Sequence, residues 1–263
     1  MKSNKILEAV RIFCVILAFG SIVIGSLYLI KLKGRENDYK ALREEPKTVI
    51  KINEDDKSYT VETVDEETET QSGWVRPDFA GLKEMNPDIY AWIYIADSVV
   101  DYPILQRASD DTYYLKRNLD GTPGYPGCIY TESVSGRQFA GNTSTVIYGH
   151  NMKNGTMFGE LTKYTDPEDL NSPSDILIAT KSGDYHYDVI AAAKTDDDYL
   201  YSKYDMYSNE GIRQMLDDLS RSNRGYMDTD KISTLTEYEE YVILSTCVNL
   251  KGEARFLVVA RRV

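Results

Sequence analysis

The sequence is poor in the residues that build metal centres and disulfide scaffolds. Its 263 residues include only two histidines, His150 and His186, and three cysteines, Cys14, Cys128 and Cys247. A small secreted domain held together by disulfides carries more cysteines, usually an even number. Two histidines at unrelated positions form no cluster of metal ligands, so neither a metal nor another cofactor is expected. A single disulfide between Cys128 and Cys247 stays open as an alternative.

Positive charge is scarce outside the N-terminal region. The net charge is −12, yet residues 1–35 carry six basic side chains against Glu8 alone, so that the remainder of the chain carries −17. Proteins bind nucleic-acid phosphates through a basic surface, and the acidic chain beyond residue 35 does not offer one. An anionic membrane surface repels it for the same reason. The composition therefore favours a domain that is held away from the bilayer and does not bind nucleic acid.

One long uncharged run, IFCVILAFGSIVIGSLYLI, covers the 19 residues 12–30. At about 1.5 Å per residue it is just long enough to cross a hydrocarbon core of roughly 30 Å. A cleaved signal peptide has a shorter apolar region followed by a small-residue cleavage site, whereas Lys31 follows this run directly. We therefore predict a membrane anchor at 12–30 and a cytoplasmic segment at 1–11. The basic residues on the two sides nearly balance, so the positive-inside rule does not set the orientation.

Residues 31–73 are rich in Glu, Asp, Lys and Thr, and only isolated apolar residues interrupt them. Such a segment buries too little apolar surface to order itself. It is interpreted as an acidic, solvated stalk. The folded domain is expected to occupy residues 74–263.

Eight short runs in that domain are rich in β-branched and aromatic residues and are separated by turn residues. They are Ala91–Ile95, Val99–Leu105, Cys128–Thr131, Thr145–Gly149, Asp175–Thr180, Tyr185–Ala193, Tyr241–Thr246 and Arg255–Arg262. Predicted helices are fewer: Phe79–Asn86, Thr156–Tyr164 and Asn209–Ser220. The last is amphipathic, with Ile212, Met215, Leu216 and Leu219 on one face. Many strands and few helices predict a mostly antiparallel barrel or sandwich.

Two stretches carry residues suited to thiol chemistry. Cys247 follows an apolar run and two small polar residues, so it is expected at a strand end, where its side chain can reach a cleft. A free cysteine has a pKa of about 8.5 and needs a cation or a base to act as a nucleophile. His150 ends the run TVIYG and is the better candidate for the base, although a loop histidine without a role is the alternative. His186 lies between two tyrosines of a strand and is interpreted as an ordinary strand residue.

Arg255 begins the last predicted strand, and the loop Val248–Ala254 turns the chain back from Cys247. Both residues are therefore expected at one end of the same hairpin. A guanidinium there can donate hydrogen bonds to a carbonyl oxygen that becomes an oxyanion. The alternative is a solvated strand-end arginine, which is how we interpret Arg261 and Arg262.

The strings YGHNMKNGTMFGEL, residues 148–161, and LSTC with an arginine on the next strand together resemble the sortases, and the first string is most similar to class B sortases. The resemblance covers roughly residues 85–263. It implies a mostly β fold, an eight-stranded sortase-type β-barrel with an N-terminal helix and an extra helix before the catalytic-cysteine strand. It also implies that His150, Cys247 and Arg255 are the catalytic residues.

The same resemblance suggests residues that line a substrate groove. Asp111 and Leu115 belong to a string, DTYYL, that resembles the groove segment, with Asp111 at a position where asparagine is frequent. Tyr199 and Leu200 resemble an aromatic–aliphatic pair that lines the same groove from the loop before the class B helix. Core packing or loop surface is the alternative for all four. Val248 stands where class B members often have an acidic residue, so the sorting motif stays open.

The activity implied by the resemblance is that of a membrane-anchored cysteine transpeptidase. It would cleave after Thr in a C-terminal NPxT- or PxTG-type sorting signal of a secreted protein, through a thioacyl intermediate. The acceptor would be an amine of a peptidoglycan precursor or cross-bridge, or of a pilin. The implied location is the cell membrane, single-pass, with an extracellular catalytic domain. A thiol hydrolase or cysteine peptidase with the same three residues and a non-catalytic barrel module are the alternatives.

Overall fold

The chain divides into two compact units, residues 1–46 and residues 47–263. The computed structural model describes residues 13–14, 16–27, 30, 48–52, 59–63, 76–96, 98–165, 176–221, 225–248 and 254–263. In the first unit, residues 16–27 are helical with exposed side chains. No helix within these ranges combines the length and the apolar character that crossing a membrane requires. The predicted cytoplasmic segment 1–11 and part of the predicted anchor 12–30 lie outside the described residues.

Eleven strands are described in the second unit. They are β1 Thr48–Ile52, β2 Tyr59–Thr63, β3 Ile89–Ile95, β4 Asp101–Leu105, β5 Ile129–Thr131, β6 Ser144–Tyr148, β7 Ile176–Thr180, β8 Gly183–Thr195, β9 Gly225–Met227, β10 Tyr241–Cys247 and β11 Arg255–Arg262. Four α-helices accompany them: α1 Phe79–Met85, α2 Leu200–Lys203, α3 Asn209–Arg221 and α4 Thr229–Ser233. Three short 3₁₀ helices cover Tyr113–Leu115, Ser133–Ser135 and Gly159–Thr165.

Eight of these strands close into a β-barrel, in the order β11-β10-β6-β5-β4-β3-β7-β8, and the pairing of β8 with β11 completes the ring. They are the eight strands predicted from the sequence, so the mostly β, eight-stranded barrel is confirmed. The pairs β4–β5 and β6–β10 are parallel and the other pairs of the ring are antiparallel. Closure removes the free strand edges that an open sheet would expose.

The structure contains three strands that we did not predict. β1 and β2 form an antiparallel pair within the segment interpreted as an unordered stalk. Their β-branched residues favour an extended backbone, and the pairing satisfies backbone hydrogen bonds locally. β9 has only three residues and pairs with residues 191–193 of β8. A strand this short leaves no recognisable pattern in the sequence.

Two of the three predicted helices form as expected. α1 begins after Asp78, whose carboxylate accepts hydrogen bonds from the backbone N–H groups of Ala80 and Gly81, and it ends before Pro87. The helix expected over Thr156–Tyr164 forms only as the later 3₁₀ segment. Met157 has φ 57°, in the left-handed region, which excludes a continuous right-handed helix through that position.

α3 is the extra helix predicted before the β10 strand, and it covers one side of the barrel. Ile212, Met215, Leu216 and Leu219 are all buried, as their spacing predicted. They belong to one apolar cluster with side chains of β8, β10 and β11, including Ile243 of β10. The helix therefore buries one face of the strand that ends at Cys247.

Shortening one of these side chains tests the packing of α3 on the barrel. Leu216 is 2% exposed, so Leu216→Ala should lower the free energy of unfolding by about 2–5 kcal/mol through lost burial and a cavity. Gln214→Ala, on the exposed face of the same helix, should change it by less than about 0.5 kcal/mol. Urea unfolding of both variants measures the difference. Equal effects would contradict the packing described here.

Candidate active site

The parallel pairing of β6 and β10 carries two predicted site residues to one edge of the barrel. The ladder pairs Tyr148 with Ser245 at its last rung. His150 and Cys247 each lie two residues beyond that rung, His150 just past the end of β6 and Cys247 at the end of β10. Parallel strands end at the same edge of a sheet, so the two residues project from neighbouring strand ends.

Cys247 and Arg255 face each other across the β10–β11 hairpin as direct cross-strand partners. An N–H of the Arg255 guanidinium donates a hydrogen bond to the Cys247 sulfur, with an Nη1–Sγ distance of 3.1 Å. Both residues are partly exposed. The prediction that they share one end of a hairpin is therefore confirmed, and a fixed positive charge lies beside the sulfur.

The imidazole of His150 is held by the 3₁₀ helix Tyr113–Leu115. Its Nε2 lies 2.8 Å from the main-chain carbonyl oxygen of Leu115. A carbonyl oxygen only accepts hydrogen bonds, so Nε2 carries a proton when this bond is made. Nδ1 is then the nitrogen that gains and loses a proton. The ring also packs edge-on against Tyr125, with centroids 5.0 Å apart.

The surroundings of His150 disfavour its charged form. Burial lowers the pKa of the imidazole below its ordinary value, while the hydrogen bond to the Leu115 carbonyl opposes that shift. The positive charges of Arg255 and Lys116 lower the pKa further. A negative charge close by, such as that of a thiolate, would oppose this shift and favour the imidazolium.

The four residues predicted to line a groove differ in their placement. The carboxylate of Asp111 accepts a hydrogen bond from the Ser133 backbone N–H at 2.6 Å. Leu115 is half-buried and presents its carbonyl to His150. Tyr199 is 47% exposed. Leu200 is only 6% exposed and packs in the apolar cluster under α3.

Glu132 and Asn151 also belong to this region, although the sequence analysis did not single them out. The carboxylate of Glu132 accepts hydrogen bonds from the hydroxyls of Tyr199 at 2.8 Å and Tyr148 at 3.3 Å. Burial raises the pKa of Glu132 despite these two donors. The side-chain amide of Asn151 donates to the Cys247 carbonyl oxygen at 2.8 Å. Glu132 directly follows the end of β5, and Asn151 directly follows His150 within the string that resembles the sortases.

The structure also bears on two further interpretations from the sequence, the Cys128–Cys247 disulfide and the strand position of His186. Cys128 and Cys247 are each present as a thiol, so the disulfide alternative is wrong. Cys128 is buried and its S–H donates to the Arg117 carbonyl oxygen at 3.4 Å. His186 is exposed on β8, whereas its neighbour Tyr187 is buried, as the alternation of a strand requires.

Comparison with known proteins gives consistent relatives. Residues 93–263 match the family model described as a Sortase domain. The chain is 30% identical over 192 residues to Sortase B of Listeria monocytogenes, which covers 73% of this chain and 76% of the relative. It is 28% identical over 189 residues to Sortase B of Staphylococcus aureus, which covers 71% and 75%.

Solved structures agree with these relatives. Sortase B from Bacillus anthracis in complex with AAEK2 superposes with a TM-score of 0.65 and 27% identity, over 90% of this chain and 97% of that chain. The Staphylococcus aureus sortase B–substrate complex superposes with a TM-score of 0.60 and 26% identity, over 70% and 84%. The barrel and its accompanying helices are therefore shared with class B sortases.

The titration of His150 tests the electrostatics of the site. In Cys247→Ala protein, which lacks the thiol, the imidazole should titrate below the ordinary pKa of 6.5 because burial disfavours its charged form. Adding Lys116→Gln should raise the midpoint, since the lysine charge lowers it. The difference should shrink with salt because Lys116 is exposed. NMR of ¹⁵N-labelled imidazole measures both midpoints, and a midpoint above 6.5 would contradict the description.

A second test concerns the carbonyl that holds His150. Gly127 has φ +73°, and a Cβ there would lie 2.4 Å from the Tyr114 carbonyl oxygen and 2.7 Å from that of Leu115. Gly127→Ala should therefore displace the Leu115 carbonyl and change the ¹⁵N shift of His150 Nε2. Gly141→Ala is the matched control, since it has φ +82° but no described atom within 4 Å. An unchanged His150 signal in folded Gly127→Ala protein would contradict this role of the carbonyl.

Proposed function

The chain belongs to the sortase family and is most like the class B sortases, and on that premise we propose that Cys247, His150 and Arg255 catalyse acyl transfer through a thioacyl enzyme. As a class B sortase the chain is a cysteine transpeptidase. The assignment of the three residues rests on their geometry at the strand ends. The family supplies the reaction class.

The hydrogen bond from Arg255 to the Cys247 sulfur is the observation that carries this assignment. In the reaction the substrate carbonyl carbon bonds to that sulfur, so the carbonyl oxygen lies one further bond away. An N–H group 3.1 Å from the sulfur is within reach of that oxygen. Arg255 therefore stabilises the thiolate before attack and the oxyanion after it.

The first half of the reaction forms a thioester. The Cys247 thiolate attacks the backbone carbonyl carbon that follows Thr in the sorting signal, and a tetrahedral oxyanion forms. Collapse of this intermediate breaks the C–N bond, and His150 gives a proton from Nδ1 to the leaving amine nitrogen. The N-terminal part of the substrate stays bound to Cys247 as an acyl group.

The second half resolves the thioester. An amine attacks the thioester carbon, neutral His150 accepts the proton that the amine loses, and the Cys247 thiolate leaves. The new amide joins the substrate to the amine, and the thiolate–imidazolium pair is restored. Burial lowers the pKa of His150 and so favours the neutral imidazole while the thiol is acylated, because the thiolate charge is then absent.

The substrate is the C-terminal sorting signal of a secreted protein, of NPxT or PxTG type, and the acceptor is an amine of the cell wall or of a pilin. Asp111, Leu115 and Tyr199 contact this signal, which is supported by the exposure of Tyr199 and by the contact of Leu115 with His150. Leu200, which adjoins Tyr199 and is 6% exposed, belongs to the same proposed set.

The enzyme acts at the outer surface of a cell membrane, with residues 12–30 as a single-pass anchor, residues 31–73 as the stalk and residues 74–263 as the catalytic domain. The 19 uncharged residues of that run support the anchor. The net charge of −17 beyond residue 35 supports a catalytic domain held away from anionic lipid.

A thiol hydrolase with the same three residues is the second candidate function. It shares the thioester, but water resolves it. The exposure of Cys247 favours neither acceptor over the other, so product analysis distinguishes the two enzymes.

Replacing the nucleophile tests the proposal. Cys247→Ala should reduce cleavage of a sorting-signal peptide by more than about a thousandfold without unfolding the barrel. Cys128→Ala, which removes the other thiol of the barrel, should retain cleavage at equal folded fraction. With wild-type protein, triglycine should divert the product from the acid to the amide, as mass spectrometry can measure. Wild-type cleavage by Cys247→Ala would refute the assignment, and an acid product alone would favour the hydrolase.

A further inference from the structure

The hydrogen bonds between β6 and β10 continue past the end of the β6 strand. In a parallel ladder, the backbone N–H groups of every second residue donate to carbonyls of the neighbouring strand. The N–H of Gly149 donates to the Ser245 carbonyl oxygen at 3.1 Å. The next rung of that series would run from residue 151 to the carbonyl of Cys247. The side-chain amide of Asn151 donates to that carbonyl at 2.8 Å.

The main chain turns away from β10 at this point. Asn151 forms an isolated antiparallel bridge with Met157, and the Phe158 N–H donates to the His150 carbonyl oxygen at 3.0 Å. The loop therefore folds back on itself directly after the histidine. The main chain of this loop has turned away from β10, but the Asn151 side chain still extends toward β10 and binds it.

His150 consequently lies between two hydrogen bonds to β10, one from Gly149 and one from Asn151. Its imidazole is fixed separately by the Leu115 carbonyl. The second of the two bonds ends on Cys247 itself. It joins the residue that follows His150 to the main chain of Cys247.

We propose that Asn151 is a positioning residue that sets the separation of His150 and Cys247 by supplying a ladder hydrogen bond from its side chain. This inference rests on the proposed function for the meaning of that separation. Asn151 itself does not touch the substrate or exchange a proton. It acts through the main chain of the nucleophile.

The chemistry of the side chain explains why asparagine suits the position. The bond needs an N–H donor on a short side chain, because the partner is a carbonyl oxygen that only accepts. An aspartate of the same shape has no N–H group, and its carboxylate would repel the Cys247 carbonyl. Loss of the bond also releases the carbonyl at the start of the β10–β11 loop, where the Val248 N–H donates to the Ala254 carbonyl oxygen.

The expected signature is a large effect on rate and a small effect on stability. One partly buried hydrogen bond contributes modestly to folding. Displacing reacting groups by about 1 Å, in contrast, can lower the rate about a hundredfold. Substrate binding should change little, since the contacts proposed for the sorting signal do not include Asn151.

The test compares Asn151→Asp and Asn151→Ala with Asn209→Ala as a matched control. Asn209 also donates its side-chain amide to main-chain carbonyls, those of Glu237 and Glu239 at 3.1 and 3.2 Å. These carbonyls precede Tyr241, at the opposite end of β10 from Cys247. The control therefore removes a similar interaction just before the start of the same strand, away from the proposed reaction.

Two readouts are taken on the full-length chain at equal folded fraction. Steady-state cleavage of a sorting-signal peptide should show kcat lowered about tenfold to a hundredfold in both Asn151 variants, with KM within about twofold of wild type. Alkylation of Cys247 by iodoacetamide, followed by intact-protein mass spectrometry, should slow about tenfold because the imidazole no longer supports the thiolate. Asn209→Ala should match wild type in both.

The inference is overturned if the Asn151 variants match Asn209→Ala in kcat and in alkylation rate. It is also overturned if Asn151→Asp, which keeps the shape of the side chain, retains the wild-type rate. Failure of the proposed function looks different, since Cys247→Ala would then cleave the peptide at the wild-type rate, or wild-type protein would not cleave it at all. The alkylation ratio of variant to wild type would still decide whether Asn151 positions Cys247.

Discussion

The parallel pairing of β6 with β10 is the constraint on which the rest of the site depends. In the barrel, six of the eight pairings are antiparallel, and an antiparallel neighbour would carry the end of β6 to the opposite edge from Cys247. Only the parallel pair brings the histidine end of one strand beside the cysteine end of the other. Arg255 needs no such arrangement, because a hairpin places it opposite Cys247 by register.

Elements around the two strands hold this edge in place. α3 buries one face of β10 against the barrel core, and the 3₁₀ helix Tyr113–Leu115 supplies the carbonyl that orients His150. A hydrogen bond from the Tyr114 hydroxyl to the Asp88 carboxylate, 2.7 Å long, holds that helix in turn. Packing thus positions the backbone, and a few main-chain carbonyls then orient the reactive side chains.

Local patterns in the sequence predicted all eight barrel strands, and the apolar spacing of α3 predicted four of its five buried residues. The strand order was not predictable from those patterns, because the pairing of Ser144–Tyr148 with Tyr241–Ser245 joins segments about a hundred residues apart. The association of His150 with Cys247 was therefore predicted from the family resemblance. The contact between Arg255 and Cys247 was predicted because a short loop joins the two strands that carry them. The contribution of Leu115 was missed because its backbone, not its side chain, contacts the histidine. The burial of Leu200 under α3 was not predictable from the sequence, because it depends on tertiary packing.

The central claim is that one residue, Cys247, carries the acyl group between two substrates. Intact-protein mass spectrometry after rapid mixing with a sorting-signal peptide, without an acceptor amine, tests it most directly. We expect a transient adduct equal to the N-terminal acyl fragment, located on Cys247 by peptide mapping, which disappears faster when an amine is added. Peptide cleavage at the full rate without any adduct on Cys247 would contradict the account, because the bond would then be broken without a thioacyl enzyme.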